Sequence, residues 1–543
     1  MTTPTVMTMT NHPLPAGVRG TFVAPLLLLI LAGCGGRDDA YTQKVPQFRP
    51  AVAFDEKLLW IDADVEAHRA YLLDVKGDLE PAIEAINLPV GPSNTWRRNG
   101  DHDETLVLCA GRRGSADDEP APAVLAAVEA SGKVREYALG DPFGNVIQSS
   151  DGRFAFLLKS GQADRLLDNP NAVAIVDLEA DPDDDEAVTL RTLRSFGDSP
   201  HTVRFSPSIP VLGDQRRLAV ALSRSTVTLI DLDHLDRRET SVQLSGATSD
   251  VEPAQVIFSE RDGSLYLRGD ASDDVFVFQL ERRPDDRSED GGPRNDFRPS
   301  INQLVVGGRP NDLALYDTSD GDERLLVVAS NPNLLAIVDA ASSRVTTVPL
   351  PSSQGQILLF DAESPSDAEV STRALLYNQG SNRLTFVDLE NIEERTTRNV
   401  EELTLEAGVT QVIPLLDEGR VLFLHGAQFV SILDLAARTI APIRGETVLS
   451  DAVFDQARAR FWVAPQGQDR IAWFDLETGD TPEVRLDAVI QQFVPVLAAG
   501  KLAVVHNDPL GYVTVLDAAN PSRERAGSIR SFLLADALDG VQR

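Results

Sequence analysis

The chain has 543 residues, 42% of them apolar, and its 83 acidic side chains outnumber 50 Lys and Arg to leave a formal charge of −33. That length and apolar content suffice for a large core, while the acidity argues against nucleic acid or an anionic membrane surface as a partner, because both would repel it. Two cysteines, Cys34 and Cys109, exclude a disulfide framework beyond one pair, a four-thiolate metal site and a Cys-x-x-Cys-His haem attachment.

The first element is an apolar run, TFVAPLLLLILAG, over residues 21–33. It is short for a membrane-spanning helix and suits the hydrophobic core of a signal peptide. Leu31-Ala32-Gly33-Cys34 directly follows and resembles the bacterial lipobox. That resemblance implies cleavage before Cys34, acylation of its thiol and a lipid anchor in the cell envelope. An ordinary secretory peptide with a chance cysteine is the alternative. Gly35 rather than Asp follows the cysteine, which by resemblance to the enterobacterial sorting rule points to the outer membrane. Residues 34–50 are polar and read as a flexible tether. With Cys34 acylated, Cys109 has no intramolecular partner.

From residue 51 onward the chain repeats one plan, clearest in residues 307–350. Four short apolar runs stand there: Asp312–Tyr316, Leu325–Ala329, Leu334–Val338 and Val345–Val348. Each has strand length and is bounded by turn-forming residues. Four such antiparallel strands make a small sheet that cannot bury both faces alone, so stacked copies are required. The third run ends in an acid whose carboxylate is suited to accept N–H groups of the following turn. The same landmark recurs at Asp74, Glu129, Asp177, Asp231, Asp339, Asp388, Asp434, Asp475 and Asp517, with Gln279 in the slot once. Successive landmarks lie 41 to 60 residues apart, the range of propeller repeats. A Gly or Asn recurs past the second run, at Gly111, Gly161, Gly269, Asn331, Asn378, Gly426 and Asn507, and predicts a left-handed turn there. Gly-Pro entries such as Gly91-Pro92 and Gly308-Arg309-Pro310 open the first strands.

At these residues the chain resembles the YVTN-type β-propeller repeats, a family of secreted and surface bacterial propellers. Val328–Asn331, Leu375–Asn378 and Val504–Asn507 fill the slot of the tetrapeptide, and Ile337–Val345 matches the third-strand turn. The likeness is good over residues 190–245 and 300–520 and weaker over 51–140. The expected fold is therefore all-β, a β-propeller of about ten four-stranded antiparallel blades over residues 51–543. A single wide ring is preferred to two smaller ones. Glu281–Ser300, charged and rich in Pro and Gly, marks either a sub-boundary or a solvated insertion between two strands of one blade. The tail Ile529–Leu538 is placed to supply a strand closing the ring on the first blade.

His425 and His506 share one repeat slot, the residue before the Gly or Asn, with Arg268, Ser330 and Tyr377. The family's geometry implies that these side chains lie on one face at the channel mouth, with His201 near the same face. His201, Arg268, Tyr377, His425 and His506 are thus the candidate channel-mouth residues; the bland reading makes them loop residues without a special role. Acid clusters at Asp181–Glu186 and Asp317–Glu323 lack the alternation of a calcium loop. Asp475-Leu476-Glu477-Thr478-Gly479 resembles the turn of quinoprotein repeats but occurs once, so no quinone is expected. No Walker loop, dinucleotide fingerprint or nucleophile elbow occurs. No metal, cofactor or catalytic residue is assigned. The expectation is a non-catalytic, envelope-anchored propeller that binds a protein, peptide or glycan at one ring face. The alternative is a hydrolase similar to the propeller lactonases, with its active site at the channel mouth.

Overall fold

The structure is a computed structural model. It describes residues 48–532 except 63–67, 77–81, 113–120, 160–168, 195–198, 245–250, 285–293, 364–369, 391, 393–398, 427–428, 445–451 and 509. The signal peptide, Cys34 and most of the tether lie outside the described residues.

Ten four-stranded antiparallel sheets follow one another along the chain, each a meander of consecutive strands. We number them blades 1 to 10: residues 52–87, 92–138, 145–192, 202–243, 253–305, 309–349, 356–404, 409–444, 453–485 and 490–530. The four strands expected in residues 307–350 are Arg309–Asp317, Glu323–Ser330, Leu334–Asp339 and Val345–Pro349 of blade 6.

Residue type explains the layering within a blade. Second and third strands are near-continuous apolar runs, such as Phe154–Leu158 and Leu218–Leu222, and every residue in those two is buried. A strand covered on both faces has no polar side to show. Fourth strands are outermost and carry polar residues: Thr439–Arg444 has only exposed and half-buried residues. Ten hydrophobic clusters tie the blades together, each joining one pair of neighbours. The cluster of Leu58, Trp60 and Leu73 with Val494, Val505 and Val513 joins blade 1 to blade 10, which makes the array a single closed ring.

Of the tail expected to close the ring, residues 533–538 lie outside the described residues. Gly527–Arg530 is the outer strand of blade 10's own sheet, paired with Tyr512–Val515, and lends no strand to blade 1. Blade 1 already owns four strands, so side chains do the closing. Besides the apolar cluster, Phe48, Tyr71 and Phe532 meet edge-to-face or tilted with centroids 5.7 to 6.5 Å apart, and the Ala51 N–H donates to Gln492 Oε1 at 3.0 Å. Each fully buried aliphatic or aromatic side chain contributes about 1.5–3 kcal/mol, so a seam of this kind needs no shared strand.

Eight of the nine third-strand acids do what their position implied, while Glu129 accepts from the Ser131 hydroxyl instead. Backbone N–H groups of the next turn donate to Asp74, Asp177, Asp231, Asp339, Asp388, Asp434, Asp475 and Asp517 at 2.7 to 3.2 Å. The left-handed turn does not recur as expected. Among the described landmark residues only Gly111 and Asn331 have positive φ. Gly269 serves a different need: a Cβ there would sit 2.1 Å from the Val251 carbonyl oxygen, so close backbone approach, not handedness, calls for glycine.

Blade 4 carries a hairpin, Ile209–Val211 with Asp214–Arg216, between its first two strands. Ile209 and Val211 pack into the blade 4–blade 5 cluster. The described parts of the charged stretch at 281–300 connect and extend two strands of blade 5, Asp274–Arg282 and Phe297–Val305. Asp296 from that stretch is held by Arg216 through two hydrogen bonds, 2.7 and 2.9 Å.

Candidate functional site

In a four-stranded meander the second-to-third-strand turns share one face of the ring with the links between blades. His425 and His506 end their second strands at this face. Both are buried, at 0% and 1% exposure. His425 Nδ1–H donates to the Gly408 carbonyl at 3.0 Å, and the Ser431 hydroxyl donates to its Nε2 at 2.8 Å. His506 repeats the arrangement: Nδ1 meets the Ala488 carbonyl at 3.0 Å and Nε2 the Thr514 hydroxyl at 2.8 Å. Each ring also stacks on a neighbour, Phe429 at 4.4 Å and Tyr512 at 4.2 Å. The carbonyl fixes the tautomer and the hydroxyl occupies the remaining lone pair. Neither ring nitrogen is open to a metal or a substrate proton. Burial holds the His506 pKa below its ordinary value.

The other candidates are dispersed in the same way. His201 is exposed just before the first strand of blade 4. Arg268 is half-buried, its Nε donating to Gln255 Oε1 at 2.9 Å and its Nη1 to Asp270 Oδ1 at 2.8 Å. Tyr377 is half-buried at the end of its strand, and burial raises its pKa. Among the described residues no hydrogen bond, ion pair or ring contact joins any two of the five. No described group of three or more His, Cys, Asp and Glu is placed to hold a metal.

The inner strands hold a polar device that the sequence reading missed. Five first strands have a register shift near their start: Pro92/Asn94, Pro253/Gln255, Pro310/Asp312, Val409/Gln411 and Ile490/Gln492. A bulge turns the next side chain out of the alternation, and in three blades that side chain reaches the following blade. Gln255 accepts from the Leu313 N–H at 3.2 Å and donates to Asp312 at 2.7 Å. Asp312 accepts from the Ile357 N–H at 2.8 Å, and Gln492 from Ala51. The available signal was a polar residue two places after the Pro or aliphatic residue that opens the strand.

On the opposite face, where first-to-second and third-to-fourth turns lie, a cation in or just before the second strand meets the third-strand acid. The pairs are Lys57–Asp74, Arg153–Asp177, Arg216–Asp231, Arg324–Asp339, Arg373–Asp388, Arg460–Asp475 and Lys501–Asp517, at 2.9 to 4.0 Å. The Arg216 pair is the most enclosed: Asp231 is fully buried and also meets His234 Nδ1 at 3.2 Å. Arg216 holds the Asp296 carboxyl down to about 2. The acid cluster beginning at Asp181 is an exposed turn in which the Asp183 N–H donates to Asp181. In the other cluster, Arg261 pairs with Asp317 at 3.0 Å. In the Asp475 turn, the carboxylate accepts from the Glu477 and Thr478 N–H groups. A cavity of about 720 Å³ opens on this face between blades 8 and 9, with Arg420, Arg458 and Arg460 in its lining.

No protein-family model matches the chain, and no curated protein matches it. Among solved structures the chain is similar to dihydro-heme d1 dehydrogenase NirN in complex with DHE, at 11% identity and a TM-score of 0.39, over 75% of this chain and 73% of that one. A likeness of this extent carries no argument about ligand or activity; the ten blades themselves make the chain a β-propeller.

Proposed function

We propose that the protein is a lipid-anchored propeller of the bacterial envelope, held in the outer membrane through Cys34, that binds a protein, peptide or glycan at one face of its ring without chemical turnover. The observation that carries the reading without turnover is the commitment of the candidate side chains to the fold. Both ring nitrogens of His425 and His506 are bonded to their own blades' third strands and entry links, and Arg268 is held by Gln255 and Asp270. The anchor rests on Leu31-Ala32-Gly33-Cys34 after an apolar run, and the YVTN-like repeats suit a secreted setting.

The test is intact-mass analysis of the chain expressed in a bacterium with its own signal, beside Cys34→Ala. The reading expects a species cleaved before Cys34 and carrying acyl chains, and loss of both features and of membrane fractionation in the variant. An unmodified Cys34 in a soluble product would overturn the anchor.

A further inference from the structure

The cavity between blades 8 and 9 breaks the repeat's own rule. Arg420 opens the second strand of blade 8 and stands in register opposite the third-strand acid Asp434. In the seven pairs described above, the cation at this place lies within 4.0 Å of its acid. Arg420 does not: it is exposed, and its guanidinium makes no ion pair or hydrogen bond with any described residue. It lines the cavity instead.

Two further guanidiniums line the same space, already held in place. Arg460 is fixed by Asp475 at 3.1 Å and by the Ala518 and Ala519 carbonyls at 3.2 and 3.3 Å. Arg458 is fixed by the buried Asp455 at 3.0 Å. Their charges are largely answered, so Arg420 is the group left to receive an anion. Leu415, Leu422, Ile432, Phe454 and Leu476 supply apolar wall. A volume of about 720 Å³ falls in the range of small-molecule sites. Glu418 and Glu477 also line the cavity and would repel a multiply charged anion.

From this arrangement we propose that the cavity binds a small organic monocarboxylate bearing an apolar group, with the carboxylate on Arg420 and the tail against the Leu415–Phe454 side. The planar guanidinium fork matches a carboxylate through two parallel hydrogen bonds. The proposal rests on reading the ring as a binding module and is independent of the anchor, so its failure leaves the Cys34 mass result untouched.

The experiment titrates the full chain calorimetrically with 3-phenylpropionate, 3-phenylpropan-1-ol, acetate and inorganic phosphate. The expected result is one saturable site for 3-phenylpropionate, with the alcohol and acetate each weaker by roughly tenfold or more, and no displacement by phosphate. Arg420→Ala, which breaks no bond of the fold, is expected to weaken 3-phenylpropionate by roughly tenfold or more, and Arg420→Lys by less. Circular dichroism of each variant confirms that the ring is intact. Wild-type affinity in Arg420→Ala would overturn the proposal, as would equal binding of acid and alcohol, displacement by phosphate, or no saturable binding in the millimolar range.

Discussion

Replacing His506 by alanine separates a histidine that holds a blade together from one that performs chemistry. The substitution removes the donor to the Ala488 carbonyl and the acceptor of the Thr514 hydroxyl, both in a site of 1% exposure. Each buried polar group left unpaired costs about 1–3 kcal/mol. Losing the stack on Tyr512 at 4.2 Å removes a further ~0.5–1.5 kcal/mol. The sum, about 2.5–7.5 kcal/mol, is a large share of the net stability of a typical domain. The assay is urea unfolding followed by tryptophan fluorescence, with Trp462 and Trp473 reporting from the neighbouring blade. His425→Ala is expected to cost a similar amount. The two effects should add to within ~0.5 kcal/mol, because blade 9 stands between their sites.

Acidity gives a second reading of the same residue. Burial lowers the pKa of His506 in the fold, so the unfolded chain takes up its proton first as pH falls. Its contribution is present above the ordinary value of 6.5 and is lost as pH drops from there toward the lower folded value. Within that window the slope is at most ~1.4 kcal/mol per pH unit, and it should be missing from His506→Ala. A variant within ~1 kcal/mol of wild type, or one with an unchanged pH slope, would refute the buried, doubly bonded ring.

Other expectations concern buried charge and thiol. Arg216→Met leaves Asp231 fully buried with no cation but His234 beside it and one N–H, that of Asp233, still donating to it, and urea unfolding should show a loss of about 3–5 kcal/mol. In the same variant the Asp296 carboxyl, held at about 2 in the wild type, should rise toward its ordinary value by NMR, with Arg237 at 3.1 Å still holding it partly down. Its stabilising effect is present above that ordinary value and disappears as pH falls through it toward 2. Cys109 is fully buried and its thiol is pushed up to about 12 by desolvation. It should therefore resist a thiol reagent at pH 8 in the native chain and react promptly in denaturant, as read by absorbance; prompt native reaction would contradict its placement in the blade 1–blade 2 cluster.

Sequence alone determined what depends on near neighbours. Strand runs, their turns and the acid that closes each third strand are local features, since a carboxylate reaches N–H groups two or three residues on without help from elsewhere. That is why Asp74 through Asp517 mark the blades and why the count of ten agrees with the sheets. Only the tertiary structure decided the rest, because it turns on which blade presses against which. The slot shared by His425 and His506 reads from sequence as a channel-mouth position, but packing buries both rings and their partners come from their own blades' entry links and third strands. The bulges that send Gln255, Asp312 and Gln492 into the next blade have a sequence pattern that gains meaning only once inner strands lie side by side. Ring closure likewise rests on Trp60 and Tyr71 meeting Val494 and Val505, more than four hundred residues away along the chain. Arg420 shows the same division: its repeat position predicts a pair with Asp434, and the fold leaves it facing a cavity instead.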